Sequence, residues 1–173
     1  MSLRKHIRNI PDFPKPGILF RDITTLVKHK DAFRVAIDKI ANKYKGKKID
    51  KVVGVEARGF IFGAAVAYKI NAGFIPVRKK GKLPFATKSV SYELEYGRDT
   101  LEIHRDAIEP GERILIVDDL LATGGTVKAV TDLVRQCSGK IQAIAFLVEL
   151  VDLKGREKLK GYPVFSLIKF QGE

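Results

Sequence analysis

The chain reads as an α/β protein with a mainly parallel twisted sheet flanked by helices. Three observations carry that reading. Apolar, β-branched runs recur near residues 52, 75, 115, 145 and 165, and runs without polar alternation suit strands covered on both faces. Stretches with helical spacing, or in one place a hairpin, separate them. Two glycine-bearing loops, 56–59 and 118–126, each follow such a run. In parallel sheets of this kind ligands lie beyond the carboxyl ends of the strands, so the two loops are expected to meet. The 173 residues suit a single domain spanning 1–173.

Residues 11–25 hold three of the seven prolines and cannot form a regular helix. Ile18, Leu19, Phe20 and Ile23 are too apolar to leave in water, so an ordered, extended cover is expected. From Asp31, the residues Phe33, Ala36, Ile37, Ile40, Ala41 and Tyr44 recur at helical spacing, and Gly46 stops that helix. A strand over 49–55, a loop at 56–59, a helix over 60–70 and a buried strand over 72–77 follow. Residues 78–84 are basic, and a charge run alone ordinarily means a solvated face. Val90, Tyr92, Leu94 and Tyr96 alternate with polar residues, a strand of period two. The turn is placed at 97–99, with Leu101 and Ile103 on the returning strand of a hairpin. A strand over 114–117 is read as ended by Asp118 and Asp119. A helix over 127–136, a stop at Gly139, a strand over 141–150, a short charged piece at 155–160 and an edge strand over 162–168 complete the chain.

Lys and Arg outnumber Asp and Glu by 32 to 20, for a formal charge of +12. That excess attracts polyanions, either nucleic acid or a small phosphorylated substrate. No helix-turn-helix, zinc-ligand or RNA-recognition pattern accompanies the charge, so a nucleic-acid partner is not expected. No apolar run reaches the roughly 20 residues that span a bilayer, and a membrane partner is not expected either. The lone cysteine, Cys137, lies in a helical pattern as a buried thiol. A cytoplasmic location is expected.

The stretch 113–126 carries the strongest chemical signal. After four apolar residues come Asp118 and Asp119, then Ala122, Thr123, Gly124, Gly125 and Thr126, then a helical pattern. Glycines let the backbone approach a ligand, and a helix N-terminus presents free N–H groups with partial positive charge, which suits a phosphate. The threonines add hydroxyl donors. The acids cannot serve the same phosphate, but they suit vicinal ribose hydroxyls or a Mg²⁺ carried in with substrate. A Gly-Gly after a strand is commonly only a tight turn; the acid pair and two threonines favour the ligand. No Walker lysine follows, so this is not a P-loop nucleotidase.

The run VDDLLATGGT at 117–126 resembles the phosphoribosyl pyrophosphate (PRPP) signature of the purine/pyrimidine phosphoribosyltransferases. It is most similar to the version in the adenine phosphoribosyltransferase family. Residues 11–25, GVEARGF at 54–60, GKLP at 81–84 and LEYG at 94–97 match that family in order and spacing. The resemblance implies a type I phosphoribosyltransferase fold with a hood segment over 1–30 and a lid loop and hairpin over 78–104. It implies transfer of the phosphoribosyl group from PRPP to N9 of adenine, giving AMP and pyrophosphate, with Mg²⁺ carried by PRPP and within reach of Asp118 and Asp119. By the same resemblance, Arg58 and Lys82 stabilise the leaving pyrophosphate and Glu95 manages the proton of the base. Glu56, Ala57, Arg78, Lys79 and Tyr96 complete the pyrophosphate site, with a cis Glu56–Ala57 peptide. Phe20 and Leu120 sandwich adenine while the backbone of Leu19 and Arg21 reads its edge. A homodimer is implied because Arg78 resembles a residue that reaches a neighbouring subunit. Phe85 departs from the family pattern, where the lid has a small or polar residue.

Two other readings compete. One is an enzyme of the same class acting on a 6-oxopurine such as xanthine. The other is a non-catalytic PRPP-sensing regulator, which usually carries an added nucleic-acid-binding domain. Arg58, Lys82, Glu95 and Tyr96 all persist, which favours catalysis.

Overall fold

The computed structural model describes residues 1–94 and 96–172. The segment expected to form a hood contains β1 (Arg8–Ile10), β2 (Phe20–Asp22) and the single turn α1 (Thr24–Val27). Then follow α2 (Lys30–Tyr44), β3 (Lys51–Val55), α3 (Arg58–Ile70), β4 (Gly73–Lys79), β5 (Thr87–Glu93) and β6 (Arg98–His104). The chain closes with β7 (Arg113–Leu121), α4 (Gly125–Gln136), β8 (Lys140–Leu150) and β9 (Val164–Phe170). Seven strands make one sheet in the order β5-β6-β4-β3-β7-β8-β9. The five strands from β4 to β9 pair in parallel, whereas β6 runs antiparallel to both β4 and β5.

Strand β7 shows why the sheet lies at the centre. Its side chains alternate between two cores, as period-two geometry requires. Leu115 and Val117 face α2 and α3, among Ile37, Ile40, Phe62 and Val66. Ile114 and Ile116 face α4 and the hairpin, among Val130, Leu133, Leu101 and Ile103. All four β7 residues are fully buried, each stabilising by about 1.5–3 kcal/mol.

The proline-rich run is ordered but not extended throughout: residues 11–19 turn between β1 and β2, with the Phe13 N–H donating to the Ile18 carbonyl at 3.2 Å, and Thr24 and Thr25 open a helical turn. Strands β1 and β2 align Arg8 with Asp22, and the Arg8 guanidinium donates to the Asp22 carboxylate at 2.5 and 3.0 Å. Asp22 also accepts from the backbone N–H and the hydroxyl of Thr24, at 2.9 and 2.6 Å. The Thr24 hydroxyl and Arg8, outweighing the cost of burial, hold the Asp22 carboxyl down at about 2.

Several boundaries differ from the sequence expectation. The acid pair does not end β7: the strand continues through Asp118 and Asp119 because β8 keeps pairing, Asp118 with Phe146 and Leu120 with Val148. Arg78 and Lys79 belong to β4, not to a loop, since they pair with Glu102 and Leu101 of β6. The hairpin strands end at Glu93 and restart at Arg98, which leaves Leu94 and Tyr96 outside and exposed and puts Arg98 and Asp99 in a strand. Helices α3 and α4 each begin two residues earlier than their apolar patterns. Glycine and arginine carry no amphipathic signal, so a first turn built from them is invisible to periodicity.

Candidate active site

Parallel pairing of β3 with β7 sets Gly54 beside Val117, so the loops that follow both strands open at one end of the sheet. They line one cavity of about 390 Å³, with Glu56, Ala57 and Arg58 on one side and residues 118–127 on the other. A larger hollow of about 530 Å³ lies at the opposite end, among Lys43, Lys47, Arg113 and Phe165. Neither a carboxylate nor a glycine lines it, so the chemistry points to the smaller one.

The loop after β7 turns into α4 at Gly124, whose φ of +85° only glycine adopts without strain. The N–H groups of the first turn of α4 then face outward without helical partners. Asp118 and Asp119 are both buried. Asp118 accepts from the Asp119 N–H at 2.9 Å and sits so close to Gly59 that a Cβ there would lie 2.6 Å from its Oδ1. Burial, and then the neighbouring Asp119 carboxylate, push the Asp118 carboxyl well above its ordinary range. Arg58 Nε stands 2.7 Å from Asp119 Oδ2. That ion pair lies off hydrogen-bond geometry, so the buried oxygen keeps its accepting capacity.

Across the cavity, the Glu56–Ala57 peptide is cis, as the resemblance implies. The Glu56 carboxylate accepts from the Lys79 backbone N–H and, at 3.4 Å, from Arg78 Nη2 of its own chain. The hood approaches through Phe20, whose ring faces the Arg58 guanidinium at 5.7 Å and meets Phe13 edge-on at 5.1 Å. Leu120 lines the cavity. The Arg21 side chain donates to Asn9 at 2.6 Å and stacks on Phe170 at 4.1 Å. Leu19 is partly exposed.

The residues expected to form a lid do not bring their side chains together here. Lys79 pairs with Asp99 at 3.3 Å, Lys82 lies exposed in the turn after β4, and Tyr96 is 81% exposed, facing Lys15 at 5.3 Å. Phe85 is also exposed and meets the His104 ring at 6.2 Å. Glu95 lies outside the described residues. Two neighbours escaped sequence reasoning. The Thr126 hydroxyl donates to the Tyr92 hydroxyl at 3.4 Å, so the hairpin touches the glycine loop. Gly155 backs Gly124 so tightly that a Cβ on Gly124 would stand 2.5 Å from the Gly155 carbonyl oxygen. Tyr92 carried a faint signal, on the apolar side of its strand's alternation; Gly155 carried none.

Among the described residues no group of three His, Cys, Asp or Glu could cage a metal. A hard cation still fits, because Asp118 and Asp119 supply carboxylate oxygens, one of them buried without a hydrogen bond. Such a Mg²⁺ would have to bring most of its oxygen ligands with it.

A family model for the phosphoribosyl transferase domain matches residues 22–172. An adenine phosphoribosyltransferase of Halothermothrix orenii is 61% identical over 169 residues, covering 98% of this chain and 99% of its own length. The crystal structure of the Thermoanaerobacter pseudethanolicus adenine phosphoribosyltransferase superposes with a TM-score of 0.94 at 53% identity, covering 98% of this chain and 100% of that one. The Saccharomyces cerevisiae enzyme, solved with adenine and an imino-altritol bisphosphate, superposes with a TM-score of 0.90 at 41% identity, covering 95% and 96%. A cavity that joins an arginine loop to an acid-and-glycine loop, and likeness over nearly the whole chain, lead to one conclusion: the chain belongs to the adenine phosphoribosyltransferase family.

Proposed function

We propose that this cavity is where the chain carries out its family's reaction, the transfer of the 5-phosphoribosyl group from PRPP to N9 of adenine. The observation that carries the reading is the meeting of Arg58, the acid pair and the glycine loop in one cavity. The N–H groups and threonines of 122–126 hold the 5′-phosphate. Asp118 and Asp119 take the ribose hydroxyls. Arg58 faces the leaving pyrophosphate, with Glu56, Ala57, Lys79, Lys82 and Tyr96 around it once the lid closes and Arg78 reaching the pyrophosphate of the neighbouring subunit. Adenine stacks between Phe20 and Leu120, its edge read by the backbone of Leu19 and Arg21. As the C1′–O bond breaks, pyrophosphate leaves with the electron pair and positive charge grows on ribose. The N9–C1′ bond forms, and Glu95 takes the proton that adenine loses. Preorganised cations beside the leaving group lower that barrier, and Mg²⁺ bound with PRPP would neutralise further charge on its oxygens. The enzyme is cytoplasmic in this reading; no helix among the described residues is long and apolar enough to cross a membrane.

A homodimer is part of the proposal. Ile61, Ala64 and Tyr68 lie three and four residues apart on α3, all exposed, with Tyr68 at 87%. An apolar stripe on an otherwise lysine-rich surface suits a second copy of the chain.

The test is a PRPP-dependent assay with adenine, hypoxanthine, guanine and xanthine. Adenine presents a donor beside an acceptor where 6-oxopurines reverse both. A site built on those hydrogen bonds rejects the mispaired base by about 10⁴-fold. Comparable kcat/KM for adenine and hypoxanthine would overturn the assignment.

A further inference from the structure

The charged piece at 155–160 has no role so far, yet it lies against the phosphate loop. It forms a 3₁₀ turn over Gly155–Leu159, and two contacts fix its position. Arg156 reaches back to the buried Glu149 at the end of β8, donating from Nε and Nη2 at 2.7 and 2.8 Å. The same guanidinium donates to the Val164 carbonyl at 2.9 Å and the Ser166 hydroxyl at 3.4 Å, so strands β8 and β9 hold the turn at three points. Leu159, 1% exposed, anchors its far end in the core shared with α4.

Held this way, Gly155 sits backbone to backbone against the phosphate loop. A Cβ on Gly155 would collide with the Ala122 carbonyl oxygen and lie 2.7 Å from a Leu121 methyl. No other residue type fits there without moving the loop. The following turn brings Lys158 over the start of α4. Its Nζ lies 3.9 Å from where a Cβ on Gly125 would stand, with the Tyr92 ring at 3.8 Å from the same point. Lys158 is itself exposed, and among the described residues no carboxylate pairs with it. Among the described residues, an ammonium without an ion-pair partner thus stands beside the N–H groups of a helix start, two neighbouring sources of positive potential.

We infer that Lys158 is a further binding residue for the 5′-phosphate of PRPP, placed there by the Arg156–Glu149 pair and by Gly155. The inference rests on the reading of 122–126 as the 5′-phosphate site. Lys158 Nζ lies 3.9 Å from where a Cβ on Gly125 would stand, within reach of a phosphate held by the first N–H groups of α4.

Calorimetric titration with two probes, ribose 5-phosphate and inorganic pyrophosphate, tests this on the full chain. Lys158→Gln should weaken ribose 5-phosphate binding by about 10-fold, the low end for a hydrogen bond to a charged group, and leave pyrophosphate binding unchanged. Lys158→Arg should restore most of the loss. Lys160→Gln removes the same charge from the same turn and controls for net charge; it should bind both probes like the parent. In steady state, Lys158→Gln should raise KM for PRPP and leave kcat and KM for adenine as they are. If Lys158→Gln binds ribose 5-phosphate like the parent while Thr126→Val weakens it, the inference fails and the site reading stands. If neither variant changes the affinity, the site reading fails together with the inference.

Discussion

Asp118 is a side chain whose charge is costly to the fold and which is proposed to serve the sugar site. Burial and the adjacent Asp119 charge raise its carboxyl well above 3.8. For an acid with a raised folded value, the folded state holds the proton more tightly than the unfolded chain does. The penalty is therefore absent well below 3.8 and grows as pH rises towards the raised value, reaching its full size above it. Asp118→Asn should accordingly raise Tm at neutral pH, by about 2–4 °C for each kcal/mol relieved, and calorimetric scans against pH would show it. The same variant, and Asp119→Asn, should weaken PRPP binding by roughly 10- to 150-fold. Wild-type affinity in both would remove the acids from the sugar site. Glu95 is tested by kinetics: Glu95→Gln should lower kcat by about 10²–10⁴-fold while PRPP affinity holds. Unchanged kcat under chemistry-limited conditions would make it an ordinary surface carboxylate.

Two small elements hold the site between them, and each has its own weak point. The hood is tied by Asp22, whose carboxyl sits at about 2 because of Thr24 and Arg8. A depressed folded value contributes stability that is present above 3.8 and lost as pH falls through about 2. Hydrogen exchange of the β1 and β2 amides should therefore speed up across that window; an exchange rate tracking the whole sheet would show that the hood has no separate clasp. On the other side, Arg156→Met leaves Glu149, 4% exposed, without its partner. Losing one member of a buried pair costs about 3–5 kcal/mol, and the 40% exposure of the Arg156 side chain brings the expectation to about 2–3 kcal/mol. Denaturant melts read that loss directly. A second change, Glu149→Gln on top of it, should recover part of the stability by removing the stranded charge.

At the scale of the molecule, the arrangement depends on parallel pairing and on a surface left for a partner. The exposed stripe of α3 predicts that Tyr68→Glu places a charge in the dimer contact and shifts the chain to monomer, readable by sedimentation at micromolar concentration. Activity should fall with it if Arg78 serves the neighbouring site. A Tyr68→Glu protein that sediments like the parent would remove α3 from the interface. The +12 charge acts at this scale too, since an excess of that size attracts anions towards the whole surface.

The elements themselves were legible in the sequence because burial leaves a period. Strand β7 alternates between two cores, α4 shows its apolar face, and the run 117–126 names its chemistry through residue types that a plain turn does not need. Strand and helix ends were less legible, since pairing partners decide them: β8 carries β7 past its acids, and β6 draws Arg78 and Lys79 into β4. That the two glycine-bearing loops would meet followed from the parallel sheet, but the particular residue-to-residue contacts distant in sequence left little or no trace. Nothing in a short charged stretch tells that Gly155 will back Gly124, that Arg156 will reach Glu149, or that Tyr92 will touch Thr126. A residue's period reports only which face it shows to its own element. Which distant backbone arrives at that face is decided when the sheet closes, and there the tertiary structure alone set the wall behind the glycine loop.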